Sequence, residues 1–343
     1  MTRTDAPLRA LISRAPLAFA LVASTAALVA PAEAAWKPTR PLEFIVAAGP
    51  GGGTDQFARI VQSIAQKHQL LPVSVIVSNK GGGAGTEAFV YGKAAGDDAH
   101  KVVFATNNEW LMPLVTKVGY RFADLQPVAA MAVDEFLLWT YQDAPFKDVK
   151  SLIESARAKN GAFKMGGSQA KDTDHILTKE IERATGVQFT YVPFKSGGEV
   201  AVQLAGAHVE ANTNNPQENI GQWRAGKVRP LCVFSPQRLV FTAKVTTDMA
   251  WSDVPTCVEV GLPVERFQMP RTVFLPGKAN AEQVAFYVEL LRRVRETPEW
   301  KEWLERGSQS DFFMTGTQFT DFIRQDEAKY RKQFADYGWL VAE

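Results

Sequence analysis

The chain has 343 residues, with 38 Lys and Arg against 37 Asp and Glu, 46% hydrophobic residues and two cysteines. This is the composition of an ordinary globular protein long enough for about two domains, which excludes disorder, collagen and coiled coil. Because the net charge is only +1, the chain lacks the basic excess from which nucleic-acid binding draws its sequence-independent affinity. We therefore expect a small-molecule ligand and no nucleic-acid partner.

The first residues have the pattern of an export signal. Three arginines precede an apolar run over residues 15–30, and the small-x-small pattern that signal peptidase reads follows and ends at Ala34. The run of about 16 residues would form a helix of roughly 24 Å, shorter than the ~30 Å of a hydrocarbon core. We predict a signal peptide over residues 1–34, cleaved after Ala34, and a periplasmic protein whose remaining 35 basic and 35 acidic residues balance.

Strand and helix patterns then alternate along the chain, with glycine-rich turns between them. Four short apolar runs each end in such a turn and lead into residues at helical spacing. The runs and their turns are 42–47 with 49–53, 73–77 with 81–85, 163–165 with 166–168, and 189–192 with 196–198. Helical patterns with little strand character follow at 281–297 and 319–337. The alternation favours an α/β fold of mainly parallel, doubly wound sheets flanked by helices.

Two extended runs interrupt this alternation. They lie at residues 136–141 and 271–275, and we interpret them as strands that cross between two lobes. Lobe I is then predicted to contain residues 36–138 and 269–343, and lobe II residues 139–268, each built on its own sheet.

The glycine turns are the best candidates for a binding site. A glycine turn lets the backbone approach a ligand, and the unpaired N–H groups that open the next helix favour an anion. The turn at 49–55 lacks the Lys-Ser/Thr pair of a P-loop, and no dinucleotide fingerprint opens a helix. Any single cluster is explained by a tight turn alone, but clusters at equivalent places in both halves favour a site for a small anion such as a carboxylate.

Patterns for catalysis and for metal binding are poorly supported. The residues around Ser168 do not complete the Gly-x-Ser-x-Gly elbow of hydrolases, and the four histidines do not cluster at ligand spacing. We therefore expect no enzyme, no metal and no cofactor. In an oxidising compartment Cys232 and Cys257 either form a disulfide or remain two buried free thiols, and their spacing does not decide between these.

Motifs spread along nearly the whole chain after residue 35 resemble those of one family. They are Gly-Pro-Gly-Gly-Gly-Thr-Asp at 49–55 with Arg59, Asn79 before the glycines of 81–85, Val-Pro-Phe-Lys-Ser-Gly-Gly at 192–198, Gly-Lys-Val-Arg at 226–229, and Val-Pro-Thr-Cys-Val-Glu-Val-Gly at 254–261. In order and spacing the set is similar to the Bug family, the extracytoplasmic solute-binding proteins of tripartite tricarboxylate transporters. The resemblance implies a two-lobed, type II-like periplasmic binding protein fold, a carboxylate held in the cleft, and a membrane permease as partner. We expect a monomer.

The resemblance also implies which residues face the ligand. They are Gly51, Gly52, Gly53, Thr54 and Asp55 from the first loop, and Ser168, Thr173, His175, Lys195, Ser196, Gly197 and Asn215 from the second lobe. Asn107 and Asn108 are added because they follow a strand whose carboxyl end should meet the cleft. Arg271 either clamps a second carboxylate or makes a surface ion pair or hinge contact. Trp110 would offer a wall for a planar acid.

We accordingly predict a solute-binding protein that captures a di- or tricarboxylate, aliphatic or aromatic as in terephthalate. Closure of the lobes in the manner of a Venus flytrap would bury the ligand before delivery to a permease. Two alternatives stay open. In one, the protein is an exported sensor subunit, and in the other a hydrolase or isomerase uses the same fold.

Overall fold

The computed structural model describes residues 36–341, so the predicted signal peptide and its cleavage site lie outside the described residues. The strands, in chain order, are β1 (Leu42–Val46), β2 (Val75–Asn79), β3 (Lys101–Ala105), β4 (Leu125–Glu135), β5 (Leu137–Tyr141), β6 (Lys164–Ser168), β7 (Thr190–Phe194), β8 (Ala211–Asn212), β9 (Val228–Val233), β10 (Gln268–Pro276) and β11 (Ser310–Thr315). The helices are α1 (Gly53–Lys67), α2 (Thr86–Ala94), α3 (Asn108–Val115), α4 (Val149–Ala158), α5 (Thr173–Thr185), α6 (Gly197–Ala205), α7 (Pro216–Arg224), α8 (Ala281–Arg295), α9 (Pro298–Arg306) and α10 (Gly316–Asp336).

These strands form two sheets, which confirms the predicted two-lobed α/β fold. The first sheet has the order β11-β4-β10-β3-β1-β2, and the second has the order β7-β6-β8-β5-β9. Pairing is parallel where strands alternate with helices, as between β1 and its neighbours β2 and β3. Pairing is antiparallel between the long strands next to the chain crossings, as between β4 and β10. Both sheets are therefore mixed and not mainly parallel as predicted, because a strand that returns through the hinge runs against its neighbour.

Two chain crossings join the sheets side by side. Strand β4 ends at Glu135 and β5 begins at Leu137, so Phe136 alone separates the two sheets at the first crossing. The second crossing precedes β10, where the Phe267 ring packs edge-on against Phe136 with centroids 5.2 Å apart. Phe234 bridges both crossings, since its N–H donates to the Phe136 carbonyl at 2.9 Å and its carbonyl accepts from Phe267 N–H at 3.0 Å. The crossings thus form one compact hinge. The lobe boundaries themselves stay a prediction.

Aromatic clusters fill the core of each lobe. In the first lobe Phe57 contacts Phe104, with ring centroids 5.1 Å apart, and Trp300, at 6.0 Å. In the second lobe the Trp139 ring meets Trp251 edge-on at 6.2 Å. One buried apolar cluster is confined to the first lobe and another to the second, while a third contains residues of both lobes.

A disulfide joins Cys232, on β9, to Cys257, which lies 25 positions further along the chain, with Cα atoms 4.8 Å apart. Both residues are fully buried. The bridge is accompanied by backbone hydrogen bonds on both sides of Val233, whose N–H donates to the Pro255 carbonyl and whose carbonyl accepts from Cys257 N–H, each at 2.9 Å. The segment after residue 254 is thereby attached to the edge of the second sheet.

Reducing this disulfide is expected to destabilise the protein by about 3 kcal/mol, because a closed loop of this length restricts the unfolded chain by that amount. Thermal unfolding followed with and without reductant measures the effect as a drop in Tm of several degrees. The double variant Cys232→Ala/Cys257→Ala is the control, since its Tm should not respond to reductant. An unchanged Tm in the reduced wild-type protein would contradict the pairing.

Candidate functional site

A polar cavity of about 40 Å³ lies between the two lobes. Five helices begin at its wall, and each directly follows a strand: α1 and α3 in the first lobe, and α5, α6 and α7 in the second. The carboxyl ends of strands from the two lobes therefore face each other across the cavity, where α/β crevices bind ligands. Since helix N-termini carry partial positive charge and unpaired N–H groups, their convergence favours an anionic group.

Most of the sequence-predicted ligand contacts lie at this cavity. Those that line it are Gly52, Gly53, Thr54, Asn108, Ser168, Thr173, Ser196, Gly197, Asn215 and Arg271. They come from both lobes and mainly from the first residues of helices. The close approach of the lobes is shown by Ser196, whose hydroxyl contacts the Pro50 carbonyl at 3.4 Å.

Five predicted residues do not line the cavity, although each is next in sequence to a residue that does: Gly51, Asp55, Asn107, His175 and Lys195. Asp55 is 4% exposed and shapes the glycine turn, accepting from Gly51 N–H at 3.0 Å and from the Arg59 guanidinium. Burial alone would raise the pKa of Asp55, but the hydrogen bonds from Arg59 and Gly51 outweigh it and lower the pKa. Asn107 is buried with its Oδ1 3.5 Å from the Thr173 hydroxyl, and Lys195 is exposed.

His175 lies in an aromatic stack instead of at the cavity. Its ring lies flat on Tyr191, with centroids 4.0 Å apart, and Trp339 packs on it at 4.7 Å. Burial, with help from the charges of Lys179 and Lys171, lowers the pKa of His175 to about 4. The imidazole is therefore neutral at pH 7, and its Nδ1 accepts from the Lys171 N–H at 3.1 Å. This position favours a role for His175 in holding the start of α5 over direct contact with a ligand.

Arg271 makes a buried ion pair at the cavity, and not the surface ion pair that was one of the alternatives from sequence; its role as a clamp for a ligand carboxylate stays a prediction. It lines the cavity and is only 2% exposed. One side of the guanidinium pairs with Asp134 on the neighbouring strand β4, and the other donates to the Thr54 hydroxyl at 2.9 Å. Its Nε is buried and has no hydrogen-bond partner within residues 36–341. A Cβ at Gly53 would lie 2.0 Å from the Arg271 Nη2, so glycine is needed there for the guanidinium to cover the start of α1.

Three carboxyl groups at the cavity were missed by the sequence reasoning: Asp172, Asp174 and Glu218. Glu218, at the third position of α7, accepts from Gly53 N–H of the other lobe at 3.0 Å and from Asn215 N–H at 3.3 Å. Asp174 accepts from the Ser168 hydroxyl at 2.9 Å. The Asn-Pro-Gln-Glu sequence at 215–218 has the spacing of a capping box, which marks a helix start but not what the helix start faces.

Burial raises the pKa of all three carboxyl groups. The pKa of Asp172 rises to about 6 by burial, although hydrogen bonds from Thr173 oppose the rise. Burial and the nearby charge of Glu218 raise the pKa of Asp174 well above its usual value. Burial also raises the pKa of Glu218, against the attraction of Arg271. One guanidinium thus faces three acids whose ionisation is costly without further positive charge.

Asp174→Asn is expected to raise the Tm at pH 8 and to change it little at pH 4. Because the pKa of Asp174 is higher in the folded protein than in the unfolded chain, the folded state holds a proton that the unfolded chain loses above about pH 4. Its contribution to stability is present at low pH and is lost as the pH rises through the folded-state pKa. Asparagine resembles the protonated acid and avoids that loss.

The matched control is Asp148→Asn at the start of α4, where hydrogen bonds from the Ser151 N–H and hydroxyl lower the carboxyl pKa. That variant should lose stability at both pH 8 and pH 4, because the lowered pKa keeps the Asp148 carboxylate ionised and hydrogen-bonded at both pH values. If Asp174→Asn instead lowered the Tm more at pH 8 than at pH 4, the side chain would be ionised in the folded protein.

Comparison with known proteins identifies the family. Residues 57–337 match the family described as "Tripartite tricarboxylate transporter family receptor", which covers most of the chain. The chain belongs to this family. Protein BugT of Bordetella pertussis (strain Tohama I) is 30% identical over 251 residues, covering 70% of this chain and 72% of that protein. The resemblance to the Bug family drawn from the sequence motifs is confirmed.

Solved structures show the same fold. "Structure of periplasmic binding protein BugD" superposes with a TM-score of 0.80 at 20% identity, covering 88% of this chain and 99% of that one. "R. palustris Rpa4515 with adipate" also gives 0.80, at 24% identity and the same coverage. As a member of a receptor family, the tripartite transporter receptor described here is a solute-binding protein and not an enzyme.

Within residues 36–341, no group of three or more His, Cys, Asp and Glu side chains is placed to hold a metal ion. None of the helices there combines the length and the hydropathy that crossing a membrane requires.

Proposed function

We propose that this receptor captures a small carboxylate in the periplasm, in the cleft between its lobes, and delivers it to the membrane permease of a tripartite transporter. The observation that carries the proposal is the convergence of five helix N-termini from both lobes on one cavity. Glycines at 52, 53 and 197 line the cavity, and their lack of a side chain lets a ligand approach the backbone where helices begin. The cavity residues named above, with the five that support them, are the proposed binding site.

Family membership supports the carboxylate and the permease partner. The related R. palustris protein has adipate, an aliphatic dicarboxylate, bound. The signal pattern before residue 35, with cleavage after Ala34, would place the mature monomeric protein in the periplasm.

An aliphatic solute is favoured over an aromatic one such as terephthalate. Trp110, the candidate wall for a planar acid, is 1% exposed in the core, where its Nε1 donates to Asp326 at 2.9 Å. It is not among the residues that line the cavity. Met269 is the largest apolar side chain among the residues of 36–341 that line the wall, and none of those residues offers an aromatic face to stack on a ring.

Binding requires the lobes to open. A cavity of about 40 Å³ has room for a water molecule, whereas pockets that bury organic ligands are usually ~300 Å³ or larger. Rotation at the hinge of Phe136, Phe234 and Phe267 would widen the cleft while leaving both aromatic cores intact. A ligand that contacts both rims then favours the closed state by its additional contacts.

The test is a thermal-shift screen of the purified mature protein with aliphatic and aromatic mono-, di- and tricarboxylates, followed by calorimetry of each hit. We expect stabilisation by at least one aliphatic carboxylate and its recovery unchanged after incubation. If no carboxylate raised the Tm or gave binding heat, the proposal would be wrong. Turnover of a hit would indicate the hydrolase or isomerase alternative, and capture from membranes of a sensor protein without permease subunits would indicate the sensor alternative.

A further inference from the structure

The cavity wall has more acidic than basic side chains. Three acidic residues line it: Asp172, Asp174 and Glu218. Among the residues of 36–341 that line the cavity, Arg271 is the only basic one. Arg271 is moreover already paired with Asp134 on the neighbouring strand. A dicarboxylate would add two further negative charges to this site. In a partly dehydrated cleft, like charges at short range cost far more than they do in water.

Glu218 lies where the carboxylate of a ligand would bind. Its Oε1 accepts from the N–H of Gly53, the first residue of α1, at 3.0 Å, although the two residues are 165 positions apart and belong to different lobes. That N–H is one of the donors that have no acceptor within their own helix, and such donors make a helix N-terminus an anion site. A solute carboxylate that takes this donor must displace Glu218, whose charge then remains in the cavity beside Asp174.

A second observation points to an acidic group on the ligand. The Nε of Arg271 is buried without an acceptor in the part of the chain that the structure describes, in a side chain that is 2% exposed. A buried N–H that donates to no acceptor destabilises the folded protein, and an oxygen acceptor on a bound ligand would remove that cost. A ligand would therefore complement the cavity if it placed a hydrogen-bond acceptor near Arg271 and a positive charge near Glu218.

We propose that the solute carries a protonated nitrogen beside its carboxylate and that Glu218 is the residue that selects for it. The carboxylate takes the Gly53 N–H and the free Nε of Arg271, while the ammonium group faces Glu218, with Asp172 and Asp174 beside it. This inference rests on the proposed function, because it assigns the chemical class of the solute bound in that same cleft. It differs from simple anion capture in requiring both signs of charge on one small molecule.

The experiment compares acids that differ only by an amino group. Calorimetry would measure succinate against aspartate, glutarate against glutamate, and adipate against 2-aminoadipate, with the wild-type protein. We expect the amino acid of at least one pair to bind roughly tenfold tighter or more than its partner, as charge complementarity in a closed site requires. Equal or tighter binding of the nitrogen-free acid in every pair that binds would overturn the inference and leave the proposed function standing. If no carboxylate bound at all, both the inference and the proposed function would be wrong.

Two variants assign the selection to Glu218. Glu218→Gln should reduce the preference for the amino acid to near zero or invert it, because one of the charges that receives the ammonium group is gone. Glu199→Gln is the matched control: Glu199 is the third residue of α6, as Glu218 is of α7, but it is exposed and does not line the cavity. It should keep the wild-type preference. A preference unchanged in Glu218→Gln would overturn the role given to this residue.

The measured quantity is the ratio of the affinities of one protein for the amino acid and for the nitrogen-free acid. A variant with a loosened structure would lose affinity for both acids, so this ratio would not fall for that reason. If Glu218→Gln did not fold, Asp172→Asn would serve as the second variant, with the same expected fall in preference. Proton uptake is followed in buffers of different ionisation enthalpy. The inference would also be overturned if the nitrogen-free acid bound more tightly and its binding took up protons. That result would show that protonation of the cavity carboxyl groups, and not an ammonium group on the ligand, balances the charge.

Discussion

Arg271→Met is expected to cost about 3–5 kcal/mol of unfolding free energy and to abolish solute binding. The substitution leaves Asp134 buried, at 1% exposure, without the cation that pairs with it, and removing one member of a buried ion pair typically has this effect. It also removes the donor to Thr54 at the start of α1 and the guanidinium that lines the cavity. Denaturant unfolding and calorimetry with a carboxylate found in the screen measure the two losses separately.

The double variant Arg271→Met/Asp134→Asn separates charge from packing. With both charges removed, much of the lost stability should return, because the amide oxygen of the introduced asparagine can still accept from the Gln309 amide that now donates to Asp134. Binding should stay lost, since the guanidinium is still missing from the cavity. A double variant no more stable than Arg271→Met would show that the ion pair is not what the single substitution disrupts.

Gly81→Ala is expected to lower solute affinity by more than about tenfold and stability by about 1–3 kcal/mol, the usual range for overpacking. A Cβ at this position would lie 2.7 Å from the Ala48 carbonyl carbon and 2.7 Å from the Gly49 nitrogen. Both contacts are backbone, so they cannot be relieved by a change of rotamer. The turn leading to Gly52 and Gly53 would have to move, and with it the N–H groups offered to the ligand.

The control for this substitution is Gly221→Ala in α7, where a Cβ would have no heavy atom within 4 Å. Alanine in a helix is favoured over glycine by about 0.5–1 kcal/mol, so the control should be slightly more stable and bind normally. The comparison is made by calorimetry and thermal unfolding of both variants under the same conditions. Normal affinity in Gly81→Ala would mean that the glycine turns do not position the binding groups.

The strand, glycine turn and helix units were predictable because their signals are local. Strands β1, β2, β6 and β7 lie within three residues of the predicted runs. Strand β4 escaped prediction although it contains the apolar run 128–133, because half of that run is alanine, which is depleted in strands, and Pro127 directly precedes it. The two-residue strand β8 is too short for any periodic pattern. Their pairing is decided by neighbours distant in the chain.

The site was predictable only in part. The glycine turns at 52, 53 and 197 could be inferred as binding elements because such clusters recur between strand and helix in both halves of the chain. The acids could not: Asp172 at the start of α5 has the same local pattern as Asp148 at the start of α4. One faces the cavity and the other solvent. A capping residue satisfies its own helix in either setting, so the pattern does not reveal which surface it meets.

The amino-acid sequence by itself determined the fold class, the glycine turns and the family, because these depend on patterns within a few residues or on motifs kept in order. Only the tertiary structure decided that the carboxylate of Glu218 meets the N–H of Gly53, that Arg271 pairs with Asp134, and that Cys232 and Cys257 are joined. Each of these contacts joins residues far apart in the chain. Their geometry follows from how the sheets and helices pack, and no local pattern encodes that packing.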